Sequence, residues 1–271
     1  SSYILYLVQV LYMFFGEYAK VLQGDLFNYN AVAYLSVGLL IGQAITLFGL
    51  NFANVAMPDF ASAFVKNDIE MVRIKFREIA RINAFFLIPI FLGIYFNVDF
   101  ILTLFGQDYI QGRLMLKFIL IGAFFNSIVG PNGTILLMSD KSHFELLNGV
   151  LKFIVVVVMI YLFGSKYLWG VALAISVSDI IVNLVKSIEV YYLFKVLPYG
   201  YKEAIFIIIY GVGAVILFGL LPNYEESKIL SFICTVTLIG ILWMVSFRFS
   251  PYRSDRKLLK RLYPNNNRKR S

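Results

Sequence analysis

The chain has 271 residues, 60% of them hydrophobic and only 15% charged, with a mean hydropathy of +0.78. Soluble domains are roughly 45–50% apolar and about 25% charged, so a water-soluble globule is excluded, as are disordered, collagen-like and disulfide-scaffold classes. The net charge of +8 resides in residues 248–271, which hold nine basic residues and one acid; because they follow an apolar stretch directly, they read as the cytoplasmic flank of a membrane helix and not as a nucleic-acid-binding arm.

The chain opens Ser1-Ser2 without Met, and its first apolar run starts at Tyr3 with no charged leader segment. This predicts a piece of a longer protein rather than a signal peptide. A span needs about 20 mostly apolar residues. Eight stretches qualify: 3–22, 31–56, 82–105, 114–138, 146–165, 167–187, 204–222 and 229–247. The predicted class is therefore all-α, a polytopic membrane bundle of eight helices. Short turns at Gly164–Gly170 and Leu221–Lys228 force antiparallel neighbours. The one long connection, Met57–Arg81, contains Pro58, which stops one helix or starts the next. Apolar Met71, Val72, Ile74, Phe76 and Ile79 then alternate with Arg73, Lys75, Arg77, Glu78 and Arg81. That pattern predicts an amphipathic helix over about 59–81 lying on the membrane surface.

Basic residues set the orientation. Lys66, Arg73, Lys75, Arg77 and Arg81, then Lys141, then Lys186, Lys195 and Lys202, share one side with the nine of the tail. Lys20, Arg113, Lys117, Lys166 and Lys228 occupy the other. The richer side is predicted to be cytoplasmic.

Catalytic signatures are absent from the sequence. There is one histidine, His143, and one cysteine, Cys234. No metal pattern, Ser-His-Asp set or nucleotide loop appears, and no connection is large enough for a catalytic domain. The prediction is a transporter, not an enzyme, with no cofactor and no metal. Its candidate residues are ionisable groups inside spans, which are expensive there and usually face water or each other. They are Glu17 with Lys20 one turn on, Lys152, and Asp179. Glu145, Asn148 and Lys152 share one helical face, as do Ser176, Asp179, Asn183 and Lys186. Two readings stand: a polar cavity wall, or polar glue between helices. Lys152 lies seven residues beyond Glu145, and Asp179 seven before Lys186. In antiparallel neighbours the two charges reach one level, roughly 10 Å deep, and should pair. Asn126, Gly130, Pro131, Asn132 and Gly133 interrupt a span, as either a broken helix lining a path or a packing kink. Gly38, Gly42 and Gly49, with Gln43, read as close-packing positions rather than ligands. Arg73, Arg77 and Arg81 recur every fourth residue and read as either a charged face docked on lipid headgroups or a cytoplasmic mouth.

From about Tyr29 to Leu197 the order of features resembles the C-terminal half of polysaccharide flippases of the multidrug/oligosaccharidyl-lipid/polysaccharide exporter superfamily. The matching pieces are Met57-Pro58-Asp59-Phe60-Ala61, Arg81-Ile82-Asn83, Leu87-Ile88-Pro89, and Leu104-Phe105-Gly106-Gln107-Asp108-Tyr109. After these come Asn126 through Gly130-Pro131-Asn132-Gly133 to Met138, Ser139-Asp140-Lys141, and Trp169-Gly170-Val171-Ala172. The resemblance implies two six-helix lobes followed by two further helices. Residues 1–198 would be the second lobe, 199–248 the two additional helices and 249–271 a basic cytoplasmic tail. It also implies alternating-access flipping of undecaprenyl-pyrophosphate-linked sugar units for polysaccharide export. The implied partners are the lipid-linked oligosaccharide, membrane lipids and polysaccharide polymerase machinery, with no nucleic acid. The substrate path would run past Glu17, Asn126, Asn132, Asn148, Lys152, Asp179 and Asn183. A cation-coupled multidrug extruder of the same superfamily is the alternative, with Glu17 or Asp179 carrying the ion. A membrane glycosyltransferase or polymerase would need a soluble loop with paired acids, which no connection provides.

Overall fold

The computed structural model describes residue 10, residues 17–221 and residues 228–249. Among these, all regular structure is helical. Lipid offers no partner to a backbone N–H or C=O, and a helix satisfies both internally. In chain order α1 covers residues 17–26. It is followed by α2 (Tyr29–Val65), α3 (Ile69–Phe96), the short α4 (Val98–Thr103) and a 3₁₀ turn (Gln107–Gly112). Next come α5 (Arg113–Ile128), α6 (Asn132–Met138), and α7 (Ser142–Met159), which ends in a π turn (Ile160–Gly164). The last are α8 (Gly170–Phe194), α9 (Tyr201–Gly219) and α10 (Lys228–Phe249). Among the described residues six helices are long and apolar enough to cross a membrane, or seven if the pair meeting at the 46° bend between Ile128 and Asn132 is one span. The chain is a multi-pass membrane protein. Every expected span from 31–56 onward is helical, with 82–105 divided between α3 and α4 and 114–138 between α5 and α6. The first, 3–22, lies largely outside the described residues, as do the 221–228 turn and the tail.

The 59–81 connection departs from expectation. No separate surface helix forms there. Pro58 lies inside α2, which runs 37 residues, about 55 Å at 1.5 Å per residue and far longer than a bilayer core. The chain turns at Lys66–Asp68, where Asn67 adopts φ +55° and the Asp68 carboxylate accepts from the Met71 N–H at 2.9 Å. α3 then continues unbroken to Phe96. The amphipathic stretch is thus half of a helical hairpin. Its apolar face packs on protein rather than lipid: Val72, Phe76 and Ile79 join Phe60 of α2, Ile135 and Leu136 of α6, and Val190 of α8 in one buried cluster. Burying each large apolar side chain contributes about 1.5–3 kcal/mol relative to leaving it in water. Lys75 ties the hairpin further, 3.3 Å from Asp59 of α2, with Glu78 of its own helix at 3.4 Å.

α5 sits centrally, packed on α2, α3 and α8. Small residues permit the close approach. A Cβ on Gly42 of α2 would lie 2.5 Å from the Ile119 side chain, and one on Gly122 of α5 would lie 2.7 Å from the Ser176 backbone. Gly42 and Gly38 are therefore close-packing positions, as the sequence predicts. α9 and α10 both pack chiefly on α3, through Phe85, Ile88, Leu92, Ile207, Phe218, Leu242 and Phe247. Elsewhere they present exposed apolar residues such as Ile208, Ile209, Val212, Ile233 and Val236, as a lipid-facing pair must.

Candidate functional site

A cavity of about 450 Å³ opens among α1, α2, α5, α7 and α8. Its polar lining is Glu17, Lys20, Gln43, Thr46, Asn126, Lys152 and Asp179, set against apolar Leu39, Ile119, Val156 and Ile175. Four charges therefore face one space, in two pairs. Glu17 and Lys20 meet at 2.8 Å, one turn apart on α1. Lys152 Nζ donates to Asp179 Oδ1 at 2.6 Å across the α7–α8 seam, with each side chain about one-fifth exposed (18% and 19%).

The Lys152–Asp179 pair follows from register. Glu145 and Lys186, seven residues away on their respective helices, also pair, at 2.8 Å. In antiparallel helices one pairing dictates the other. Between them runs a hydrogen-bonded strip. Asn183 Nδ2 donates to the Asp179 carbonyl at 2.8 Å and to Asn126 Oδ1 at 2.9 Å. Further from the cavity, Asn148 donates to Glu189 at 2.7 Å and Asn132 to Ser187 at 2.9 Å. Of the predicted path residues, Glu17, Asn126, Lys152 and Asp179 line the cavity, and Asn183 braces Asn126 from behind. Asn132 and Asn148, each 1% exposed, lie off it and join helices instead.

The three arginines do not form one open face. Arg73 pairs with Glu70 beside it at the exposed start of α3. Arg81 is 4% exposed and donates to Glu203 of α9 at 2.7 Å. Arg77 stands 3.7 Å from the same carboxylate, which also accepts from the Gly200 N–H at 2.5 Å. The reason is the arrival of α9, whose first turn covers this side of α3. The expected shared face of Arg73, Arg77 and Arg81 is therefore broken at Arg81, which is an internal anchor for α9.

The broken helix is real, and two residues outside the predicted set complete it. Pro131 has no N–H to give the Ser127 carbonyl, and the Asn132 N–H donates to the Gly130 carbonyl at 2.9 Å instead of to Ile128. Asn83 Nδ2 donates to the Ser127 carbonyl at 3.0 Å. The Tyr199 hydroxyl bonds the Ile128 carbonyl and reaches that of Ala80 at 3.1 Å. Burial, with Glu203 alongside, pushes the Tyr199 phenol well above its ordinary pKa, so it remains a donor. Glu145, Lys186 and Glu203 also lay outside the predicted set. Glu145 and Lys186 had a signal, since they extend the Lys152 and Asp179 faces. Glu203 had only its place in the first turn of α9.

Fold and cavity together define a polytopic helical membrane bundle with a charged recess inside it. One solved structure with this fold is "Lipid II flippase MurJ, inward closed conformation", at TM-score 0.71 and 16% sequence identity, over 92% of this chain and 52% of that one. The chain thus spans about half the length of the flippase it matches. No protein-family model matches the sequence, and no curated protein does.

Proposed function

We propose that this chain is part of a transporter that flips polyprenyl-pyrophosphate-linked sugar units across the cytoplasmic membrane for polysaccharide export, by alternating access. It performs no covalent chemistry. Residues 1–198 act as the second lobe, 199–248 as two additional helices and 249–271 as a cytoplasmic tail. The polysaccharide polymerase machinery is its partner across the membrane. The observation that carries this reading is the pairing of two unlike recesses. The charged cavity adjoins an apolar groove of about 230 Å³ lined by Tyr18, Leu22, Phe153, Val156 and Ile160, and Val156 lines both. An amphiphile needs this arrangement, a polar place for its head beside an apolar one for its chain. Lys152 supplies the cation for the pyrophosphate, which competes with Asp179 for it. The likeness of fold to a lipid II flippase supports the same class.

The cation-coupled extruder is favoured by Glu17 and Asp179, both carboxylates in the cavity. Complementation by the full-length gene separates the two. A strain lacking a polysaccharide flippase, but supplied with the matching sugar-lipid pathway, should regain surface polymer. Failure to restore polymer, with acquired resistance to cationic drugs, would favour the extruder.

A further inference from the structure

The polar cavity has an annex. Thr46 and Asn126 line both it and a second recess of about 30 Å³, which reaches the break between α5 and α6. The far wall of the annex is Asn83 of α3, 2% exposed. Donation to the Ser127 carbonyl fixes which way the Asn83 amide faces. Among the described residues its Oδ1 is left buried with no hydrogen-bond partner, and an unsatisfied buried acceptor is costly. A donor brought there would therefore be gained at a premium.

The other polar groups narrow the chemistry. Thr46 donates its hydroxyl proton to the Gly42 carbonyl at 3.2 Å, which leaves its oxygen as an acceptor. Asn126 uses its Oδ1 on Asn183, which leaves its Nδ2 as a donor. The annex thus offers two acceptors and one donor, and among the described residues no carboxylate lines it. A cation would enter without a counter-charge, at high desolvation cost. A hydroxyl group, which donates once and accepts once, matches in both size and polarity. Gly49 keeps the space open, because a Cβ there would sit 3.0 Å from Ser127 Cβ and 3.4 Å from Asn83 Nδ2.

We infer that the annex is a hydroxyl subsite. It admits one hydroxyl of an uncharged sugar ring held in the main cavity and reads it through Asn83, Thr46 and Asn126. This rests on the flippase reading and deepens it: Lys152 answers the anionic linkage, while the annex answers the sugar.

The test measures binding to the full-length protein in nanodiscs. The probes are bare undecaprenyl pyrophosphate and the same carrier bearing one glucose. Wild type should bind the glucosyl carrier roughly tenfold tighter than the bare one, the scale of one or two well-made hydrogen bonds. Gly49→Ala should bring the two to near parity without changing affinity for the bare carrier. Thr46→Val keeps shape and volume, so it should fold even if Gly49→Ala does not, and it should cut the preference severalfold. A preference that survives both variants overturns the subsite, as does a wild type that binds both carriers equally. Thermal stabilisation by sodium over choline that Gly49→Ala abolishes would make the annex a cation site and also overturn it. If wild type binds neither carrier, the flippase reading itself fails and the subsite falls with it.

Discussion

Replacing Lys152 with Met leaves Asp179 facing the α7–α8 seam without its ammonium, 2.6 Å away in the intact protein. Removing one partner of a buried pair costs about 3–5 kcal/mol, because the survivor stays charged and desolvated. Each of these side chains is about one-fifth exposed toward the cavity, so water softens the loss, and the lower end, ~3 kcal/mol, is expected. At roughly 2–4 °C per kcal/mol for a chain of this size, Lys152→Met should melt about 6–12 °C below wild type. The exchanged double variant, Lys152→Asp with Asp179→Lys, restores the pair and should recover most of that stability. It also moves the cation to the neighbouring helix, whose axis lies about 8–10 Å away. Transport should therefore stay lost in the double variant if Lys152 meets the substrate. Melting of the purified variants and transport per inserted molecule are the two measurements. An unchanged melting temperature in Lys152→Met would refute the pairing argument. Full transport in the double variant would end the substrate role of Lys152 and leave the pair as a structural latch.

Glu203→Gln removes the carboxylate that holds Arg81 and should cost about 3 kcal/mol, with faster amide exchange through the first turns of α9; Arg73→Gln, at an exposed pair, should change stability by less than about 0.5 kcal/mol. Gly42→Ala should destabilise by about 1–3 kcal/mol, since its Cβ would press on Ile119 at 2.5 Å; Gly213→Ala, with open space around it, should be neutral or stabilising by up to about 1 kcal/mol, and thermal melts compare the two directly. In a Cys234→Ala background, Asn67→Cys and Asn266→Cys should resist an impermeant thiol reagent applied to whole cells and react after permeabilisation. Labelling of either from outside would overturn the proposed orientation.

The sequence alone determines much of this protein, because lipid imposes one-dimensional constraints. A span must be about 20 apolar residues long, and basic residues tend to collect at cytoplasmic ends. Both can be counted without knowing any contact. The Lys152–Asp179 pair was legible for the same reason: a seven-residue spacing on each of two antiparallel helices fixes the level of both charges from local geometry. Asn126, Pro131 and their neighbours likewise announce a break, since proline removes a donor wherever it stands. Tertiary structure decided the rest. Whether the 59–81 segment met headgroups or protein depended on α6 and α8 arriving beneath Val72 and Phe76. Arg81 finds Glu203 122 residues away, and Asn83 finds the Ser127 carbonyl 44 residues away. Neither spacing carries a period that could be read along the chain. Asn132 and Asn148 have the same composition signal as Asn126, yet only Asn126 lines the cavity. The packing of five helices sets which polar residue meets water, and that packing is a property of surfaces brought together, not of any residue's neighbours in sequence.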